Sequence, residues 1–304
     1  MKIALGTVQL GIPYGNSSDQ SLMPEEAAFS ILEAAIQAGI RFFDTAIAYG
    51  LSEERIGRFQ LALKSPESLI STKIPVAEPK LWKDPDAYWK WIADHIEGSK
   101  RRLGINGHTL LQFHQCDLDF LTHPQTKIMF KRLKDEGFCE SVGVSVYSPD
   151  QALAALATGA VKALQVPANM IDTRFIEGAV QDKARARGVT LIGRSLFLKG
   201  VLIESAALPP VKKRSELSEL RRLAKEASSP DSIHTLSVRY IMANHPNSLD
   251  FLLLGIDSTQ SLRQNLELFA SANTVVSKET CQRLDKARAY AGQHGLLNPA
   301  NWNS

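Results

Sequence analysis

The stretch PEEAAFSILEAAIQAGIRFFD (24–44) joins a helix pattern directly to a short strand pattern. The leading Pro-Glu-Glu suits the first turn of a helix, and Gly39 suits the position just past a helix end. Phe42 to Asp44 then forms an apolar run of strand length. A chain that repeats this unit builds parallel strands joined by helices.

The same alternation continues along the chain and gives about eight strand–helix pairs, the number that closes a parallel barrel. The strand candidates are Lys2–Leu5, Phe42–Asp44, Leu69–Lys73, Thr109–His114, Ser141–Ser145, Ala163–Val166, Thr190–Arg194 and Asp250–Leu254. No Gly/Ser linker marks a domain boundary. The sequence therefore predicts a single α/β domain over residues 1–304, a (β/α)8 TIM barrel.

Composition limits the classes of function. The chain has 304 residues, 44% hydrophobic and 22% charged, with a net charge of +3 and scattered basic residues, so no nucleic-acid partner is indicated. Three cysteines without CxxC spacing suit reduced thiols. Because we find neither a signal peptide nor a run of about 18 apolar residues, we expect a cytoplasmic protein without membrane contact.

Four polar residues fall at or just past the ends of three successive predicted strands. Asp44 ends the second strand and Tyr49 follows it, while Lys73 and His114 end the third and fourth. Barrel enzymes place catalytic groups at this end of their strands. We expect the four side chains to converge at one mouth of the barrel.

These residue types make chemical sense together. Tyrosine is a weak acid near pH 7, and a nearby cation such as Lys73 would favour its phenolate form. Asp44 would pair with Lys73 and keep it charged, while His114 could donate a hydrogen bond to a carbonyl oxygen or relay a proton to Tyr49. The alternative for Asp44 and Lys73 is a purely structural ion pair.

A metal site at His114 with Cys116 and Asp117 is an alternative interpretation of this segment. On a strand, His114 and Cys116 share a face while Asp117 points away, and no second ligand pair is evident, so we expect no metal. The remaining histidines, His108 among them, lack a partner pattern and are predicted to lie on the surface or in loops.

Two stretches interrupt the alternation, residues 75–91 and 201–232. Both follow strands, so they could form walls of a substrate pocket for a sugar-like or aromatic compound. The alternative is that the aromatic residues of the first stretch only pack it onto the barrel. They are Trp82, Tyr88, Trp89 and Trp91. Residues 211–226 have the pattern of an amphipathic helix on the barrel exterior.

The segments RFFDTAIAYGLSEERIG (41–57), STK (71–73) and LLQFH (110–114) resemble the aldo-keto reductase family. The resemblance extends over the whole chain, through GTVQLG (6–11), GVSVYSP (143–149), LQVPANMID (164–172), RSLFLKG (194–200) and LLLGIDSTQSLRQNL (252–266). It implies an NAD(P)H-dependent enzyme that reduces an aldehyde or ketone. Asp44, Tyr49, Lys73 and His114 would be its catalytic residues, with Tyr49 as proton donor.

The resemblance also implies a cofactor site. Ser145 and Gln165 match the positions that bind the nicotinamide carboxamide, and Asn265 matches the position that binds adenine. The full set of cofactor-binding candidates is Ser145, Gln165, Arg194, Ser195, Leu196, Lys199, Gly200, Gly255, Ser258, Ser261, Gln264 and Asn265. No Rossmann or P-loop motif competes with this assignment.

The chain departs from the family pattern at several points. Lys2–Leu5 is predicted as the first barrel strand, where many members begin with a hairpin that plugs the barrel. Val146 replaces a common asparagine. Arg194 replaces an aromatic residue that stacks on the nicotinamide, so it either stacks there itself or contacts an acidic substrate or the cofactor phosphates.

The choice between NADPH and NADH depends on the adenosine segment. Gly255 and Ser261 stand where NADP-dependent members often carry a basic residue. Lys199 and Arg263 are the nearest substitutes in sequence, which favours NADPH and leaves NADH open. A second hypothesis for the whole chain is a catalytically silent cofactor-binding sensor or regulatory subunit, although the complete set of four catalytic residues argues against it.

Overall fold

The computed structural model describes residues 1–14, 21–63 and 68–304. Eight parallel strands form a closed barrel in chain order, with β1 paired to both β2 and β8. They are β1 (Lys2–Gly6), β2 (Phe42–Asp44), β3 (Leu69–Pro75), β4 (His108–His114), β5 (Cys139–Ser145), β6 (Ala163–Pro167), β7 (Thr190–Arg194) and β8 (Phe251–Gly255). This confirms the predicted (β/α)8 barrel and the placement of its first strand.

Helices lie between and after the strands. They are α1 (Glu25–Gln37), α2 (Ser52–Leu63), α3 (Pro85–Leu103), α4 (Leu118–Thr122), α5 (Pro124–Asp135), α6 (Pro149–Ala157), α7 (Ala179–Ala186), α8 (Arg214–Ser228), α9 (Ile233–Arg239), α10 (Thr259–Ser271) and α11 (Lys278–Gln293). Local chemistry sets several ends: Asp84 accepts from the first amides of α3, and Ser148 caps α6. In the described part of the chain, no helix is long and apolar enough to span a membrane.

The barrel interior changes from apolar to polar along the strands. A cluster of inward side chains near the strand starts includes Phe42, Leu110 and Ala163. Because alternate residues of a strand share a face, the same strands point Asp44, Gln112 and Gln165 inward two positions later. Because all eight strands are parallel, these three polar side chains lie toward the same mouth of the barrel.

The aromatic residues of the first insertion pack against the barrel exterior. Trp82 is buried against Phe120, and Trp89 packs edge-on against Phe138 with its ring centroid 5.5 Å away. Arg132 lies 4.0 Å above the Trp89 ring. These contacts favour the packing interpretation over a pocket wall.

The second insertion contains α8, which buries Leu217 and Leu220 as an amphipathic exterior helix should. The prediction for His108 is wrong, because this residue opens β4 and is 1% exposed. Its position on a strand could not be recognised from isolated sequence neighbours.

Candidate active site

A buried ion pair lies in the barrel interior near the mouth. Lys73 Nζ is 2.6 Å from Asp44 Oδ2 and also donates to the carbonyl oxygen of Thr45 at 2.9 Å. Both charged side chains are almost completely buried. Burial lowers the pKa of Lys73, and the carboxylate of Asp44 opposes that shift. The pairing predicted from the sequence is present.

Two glutamine amides saturate the other oxygen of Asp44. Gln165 Nε2 donates to Asp44 Oδ1 at 2.8 Å, and Gln112 Nε2 lies 3.2 Å from the same oxygen. Gln112 also donates to Ser71 Oγ at 2.6 Å. Gln112 is not among the candidate residues indicated by the sequence. Its place two residues before His114, on the same inward face of β4, was the available signal.

Tyr49 and His114 face each other above this pair. Their rings meet edge to face with centroids 5.8 Å apart, and Lys73 Nζ lies 5.3 Å from the Tyr49 ring centroid. Burial, followed by the charge of Asp44, raises the pKa of Tyr49 above its usual value near 10. The phenol therefore keeps its proton at neutral pH.

In the free protein, burial of the phenol outweighs any stabilisation of its phenolate by Lys73, whose role after proton transfer stays a prediction. Lys73 donates hydrogen bonds to Asp44 and the Thr45 carbonyl, and its charge is compensated by the adjacent carboxylate. Desolvation of the phenol consequently dominates its acidity. A protonated phenol is the form that a proton donor requires.

His114 is uncharged at neutral pH. Burial lowers its pKa to about 3, with smaller contributions from the positive charges of Lys73 and Arg194. A neutral imidazole carries one N–H donor and one acceptor nitrogen. Gln115, directly after it, adopts a left-handed backbone with φ of 56°. Strained residues of this kind cluster at functional sites.

A buried carboxylate fixes the helix that follows Tyr49. Glu53, in the first turn of α2, accepts hydrogen bonds of 2.6 Å from Thr72 and Ser99 and of 2.8 Å from Arg102. Thr72 precedes Lys73 on β3, while Ser99 and Arg102 belong to α3. Glu53 therefore ties the start of α2 to the strand that carries Lys73.

Ser145 and Gln165 suit a primary amide. They are direct neighbours in the register of β5 and β6. Because Gln165 Nε2 is bonded to Asp44, its Oε1 remains available to accept from an amide N–H. Within the described residues the Ser145 hydroxyl forms no hydrogen bond and can donate to an amide oxygen. A nicotinamide carboxamide offers both groups.

Gln9 is a further residue that the sequence analysis missed. Its Oε1 is buried and has no hydrogen-bond partner in the described part of the chain. Its side chain lies against Gly255, where an added Cβ would come within 3.0 Å of Gln9 Nε2. Gly255 itself is exposed at the end of β8. An unpartnered acceptor beside an open strand end fits a ligand with hydroxyl or amide donors.

Arg194 leans from the end of β7 toward β5. Its guanidinium carbon lies 4.1 Å from the centroid of the Tyr147 ring, and Nη2 donates to the carbonyl of Val146 at 3.1 Å. Among the described residues it forms no ion pair with a carboxylate. Since Val146 and Tyr147 directly follow Ser145, the guanidinium lies beside the end of β5 that carries Ser145.

The loop after β7 has an unusual backbone. Ser195, Leu198 and Lys199 have positive φ angles of 62°, 44° and 50°. Within the loop, the backbone N–H groups of Leu198 and Gly200 donate to the carbonyl oxygens of Ser195 and Phe197, each at 2.9 Å. Leu196 is buried within this loop. The cofactor-binding candidates Ser195, Leu196, Lys199 and Gly200 therefore lie on a compact, internally hydrogen-bonded turn.

Arg221 of α8 holds this loop. Its guanidinium donates to the carbonyl oxygens of Val201 at 2.9 Å, Ala206 at 2.7 Å and Gly200 at 2.8 Å. Three bonds from one side chain offset the cost of the strained residues that precede them.

The segment that the sequence predicts to receive the adenosine lies at the start of α10. Asn265 is buried, bonded through Oδ1 to His234 Nε2 at 3.0 Å and through Nδ2 to the Ser261 carbonyl at 2.7 Å. The His234 ring in turn contacts Phe197 of the β7 loop at 4.6 Å. Ser258 and Ser261 form a capping box on α10, and Gln264 is exposed. The sequence did not indicate His234.

The matching family model is that of the Aldo/keto reductase family, and it covers residues 2–289. The chain belongs to the aldo/keto reductase family. This aldo/keto reductase is 26% identical over 266 residues to aldo-keto reductase YhdN of Bacillus subtilis, a match that covers 79% of the chain and 77% of that protein. It is 28% identical over 239 residues to D-threo-aldose 1-dehydrogenase of a Pseudomonas species, covering 66% and 71%.

The fold of this aldo/keto reductase is shared with a solved structure, the holo form of aldo-keto reductase AKR11C1 from Bacillus halodurans. The two superpose with a TM-score of 0.71 at 22% identity, over 94% of this chain and 91% of the other. At that identity the likeness establishes the barrel architecture. Family membership supports an oxidoreductase of the nicotinamide-dependent class.

Proposed function

We propose that this aldo/keto reductase reduces an aldehyde or ketone to an alcohol with NAD(P)H, and that Tyr49 donates the proton. The observation that carries the proposal is a protonated phenol facing the neutral ring of His114, above the buried Lys73–Asp44 pair. The catalytically silent alternative gives no reason to keep these four side chains together.

The proposed roles follow from the acid–base states of the side chains. The bound cofactor would supply the hydride. His114 donates an N–H to the substrate carbonyl oxygen, and Tyr49 transfers its phenolic proton to the same oxygen as negative charge develops there. Lys73, 5.3 Å from the Tyr49 ring, then stabilises the phenolate that remains. Asp44 keeps Lys73 in place.

The proposed cofactor site runs across the mouth of the barrel. Ser145 and Gln165 would hold the carboxamide, and Arg194 would cover the nicotinamide with its planar guanidinium. The β7 loop, with Ser195, Leu196, Lys199 and Gly200, would receive the phosphates. The residues proposed for the adenosine end are Gly255, Ser258, Ser261, Gln264 and Asn265.

The proposed substrate is a small sugar-like carbonyl compound. Support comes from the similarity to a protein named D-threo-aldose 1-dehydrogenase. The tryptophans of residues 75–91 pack against other parts of the barrel, so they give no support for an aromatic substrate.

The central experiment is Tyr49→Phe. Loss of a positioned general acid should lower the turnover number by about 100-fold or more. The dissociation constant for the cofactor, measured by fluorescence, should change by less than about twofold, because the hydroxyl is used only in the chemical step. Tyr290→Phe, on the exterior helix α11, is the matched control.

Two results would contradict the proposal. A Tyr49→Phe enzyme with the wild-type rate would remove tyrosine from the mechanism. A wild-type protein that binds cofactor but turns over no member of a panel of sugar and aromatic aldehydes would instead support the sensor hypothesis.

A further inference from the structure

We propose that the cofactor site selects NADH over NADPH and that Asp257 is the residue responsible. The inference rests on the proposed function, because it assumes that the start of α10 receives the adenosine ribose. The sequence favours NADPH, whereas the side-chain positions of Asp257, Arg263 and Lys199 favour NADH.

The first observation concerns the carboxylate of Asp257. Ser261, at a position that is often basic in NADP-dependent members, donates its hydroxyl to Asp257 Oδ1 at 2.7 Å. Ser258 donates to the same oxygen at 3.3 Å. Asp257 is exposed and forms no ion pair within the described residues. An uncompensated negative charge therefore stands beside the position where a 2′-phosphate would need a cation.

The two cofactors differ chemically only at this point. NADPH carries a doubly charged phosphate on the adenosine ribose, which an adjacent carboxylate repels. NADH carries a 2′-hydroxyl, which can donate a hydrogen bond to the same carboxylate. Dinucleotide-binding folds of another architecture use this distinction, with an acidic residue for NAD and an arginine for NADP.

Arg263 lies on the face of α10 opposite to Ser261, so it does not compensate the negative charge of Asp257. Residues four apart in a helix lie on one face, and Asn265 accordingly contacts the Ser261 carbonyl. Arg263 stands two residues from each of them, about 200° around the helix, and it is exposed. Its guanidinium is therefore directed away from the surface that carries Ser261 and Asn265.

Lys199 is oriented toward other groups. Its Nζ lies 5.8 Å from the ring centroid of Tyr14 and 6.0 Å from that of Trp302. These rings belong to the loop after β1 and to the chain end. Neither basic residue that could have favoured NADPH is placed beside Asp257.

The test is a binding titration of the protein with each reduced cofactor, monitored by fluorescence. We expect the wild-type protein to bind NADH about tenfold more tightly than NADPH or better. Asp257→Asn removes the charge while keeping the oxygen that accepts from Ser261, so it should reduce this ratio by about fivefold or more, chiefly by strengthening NADPH binding. Glu267→Gln removes an exposed carboxylate from the same helix and should leave the ratio unchanged.

Ionic strength gives a second readout that needs no variant. Because Asp257 is exposed, added salt screens its repulsion of the phosphate, and the ratio should fall as salt is raised from low to physiological concentration.

The outcomes separate this inference from the proposed function. Equal binding of the two forms, tighter binding of NADPH, or an Asp257→Asn ratio equal to wild type overturns the selection by Asp257 and leaves the reductase proposal intact. Failure to bind either form overturns both.

Discussion

Removing the charge of Lys73 would leave the carboxylate of Asp44 alone in the barrel interior. A buried charge that loses its partner is strongly unfavourable, so Lys73→Met should lower the free energy of unfolding by about 3 kcal/mol, measured by denaturant titration. The double variant Asp44→Asn/Lys73→Met, which leaves no buried charge, should be more stable than Lys73→Met alone. Equal instability of the two would mean that the charge is not the cause.

The sequence revealed the residues that carry a recognisable pattern and missed those that support them. Asp44, Tyr49, Lys73 and His114 stand at strand ends in a distinctive order. Gln112 and Gln9 belong to no motif, and only the closed barrel places their side chains beside Asp44 and Gly255. The effect of burial on the pKa of Tyr49 was likewise not visible in the sequence, because desolvation cannot be read from the presence of a neighbouring lysine.

The contact between α2 and α3 depends on Gly57. A Cβ at this position would overlap the carbonyl oxygen of Arg102, so Gly57→Ala must push the helices apart. We expect a loss of about 1–3 kcal/mol in unfolding free energy and a reduced turnover number, since α2 begins just after Tyr49. Gly292→Ala, in α11 with nothing within 4 Å, should be neutral or slightly stabilising. Equal stability of both variants would refute the close contact.

Element types were predictable because periodicity reports them, and the strands Phe42–Asp44 and Thr190–Arg194 match their predicted limits. The direction in which side chains of the insertion point was not predictable. Trp89 and Trp91 lie on α3, and whether a helix turns an aromatic residue to a pocket or to a neighbouring helix depends on its rotation about its axis.

Acid should destabilise the whole barrel. Burial lowers the pKa of His108 to about 4 and that of His114 to about 3, so both stay neutral in the folded protein below pH 6.5 while the unfolded chain binds protons. Unfolding free energy should therefore fall with pH from about 6.5 toward 4, by about 1.4 kcal/mol per pH unit for each histidine.

Unfolding titrations of His108→Phe at several pH values would check this. Between pH 6 and 4.5, the unfolding free energy of the variant should change less steeply with pH than that of the wild type, by about 1.4 kcal/mol per pH unit. His294→Phe, at an exposed position, is the control. A wild-type slope in His108→Phe would show that this ring is not the group that takes up protons on unfolding.

The hydrogen bonds from Arg221 to the loop after β7 have an evolutionary consequence. All three of its bonds end on main-chain oxygens, which every amino acid possesses. Substitutions at exposed positions between these anchor points, such as 204 and 205, can therefore change what the loop displays while the anchor points persist. Descendants of this chain could acquire new ligand specificities at this loop while its backbone shape is retained.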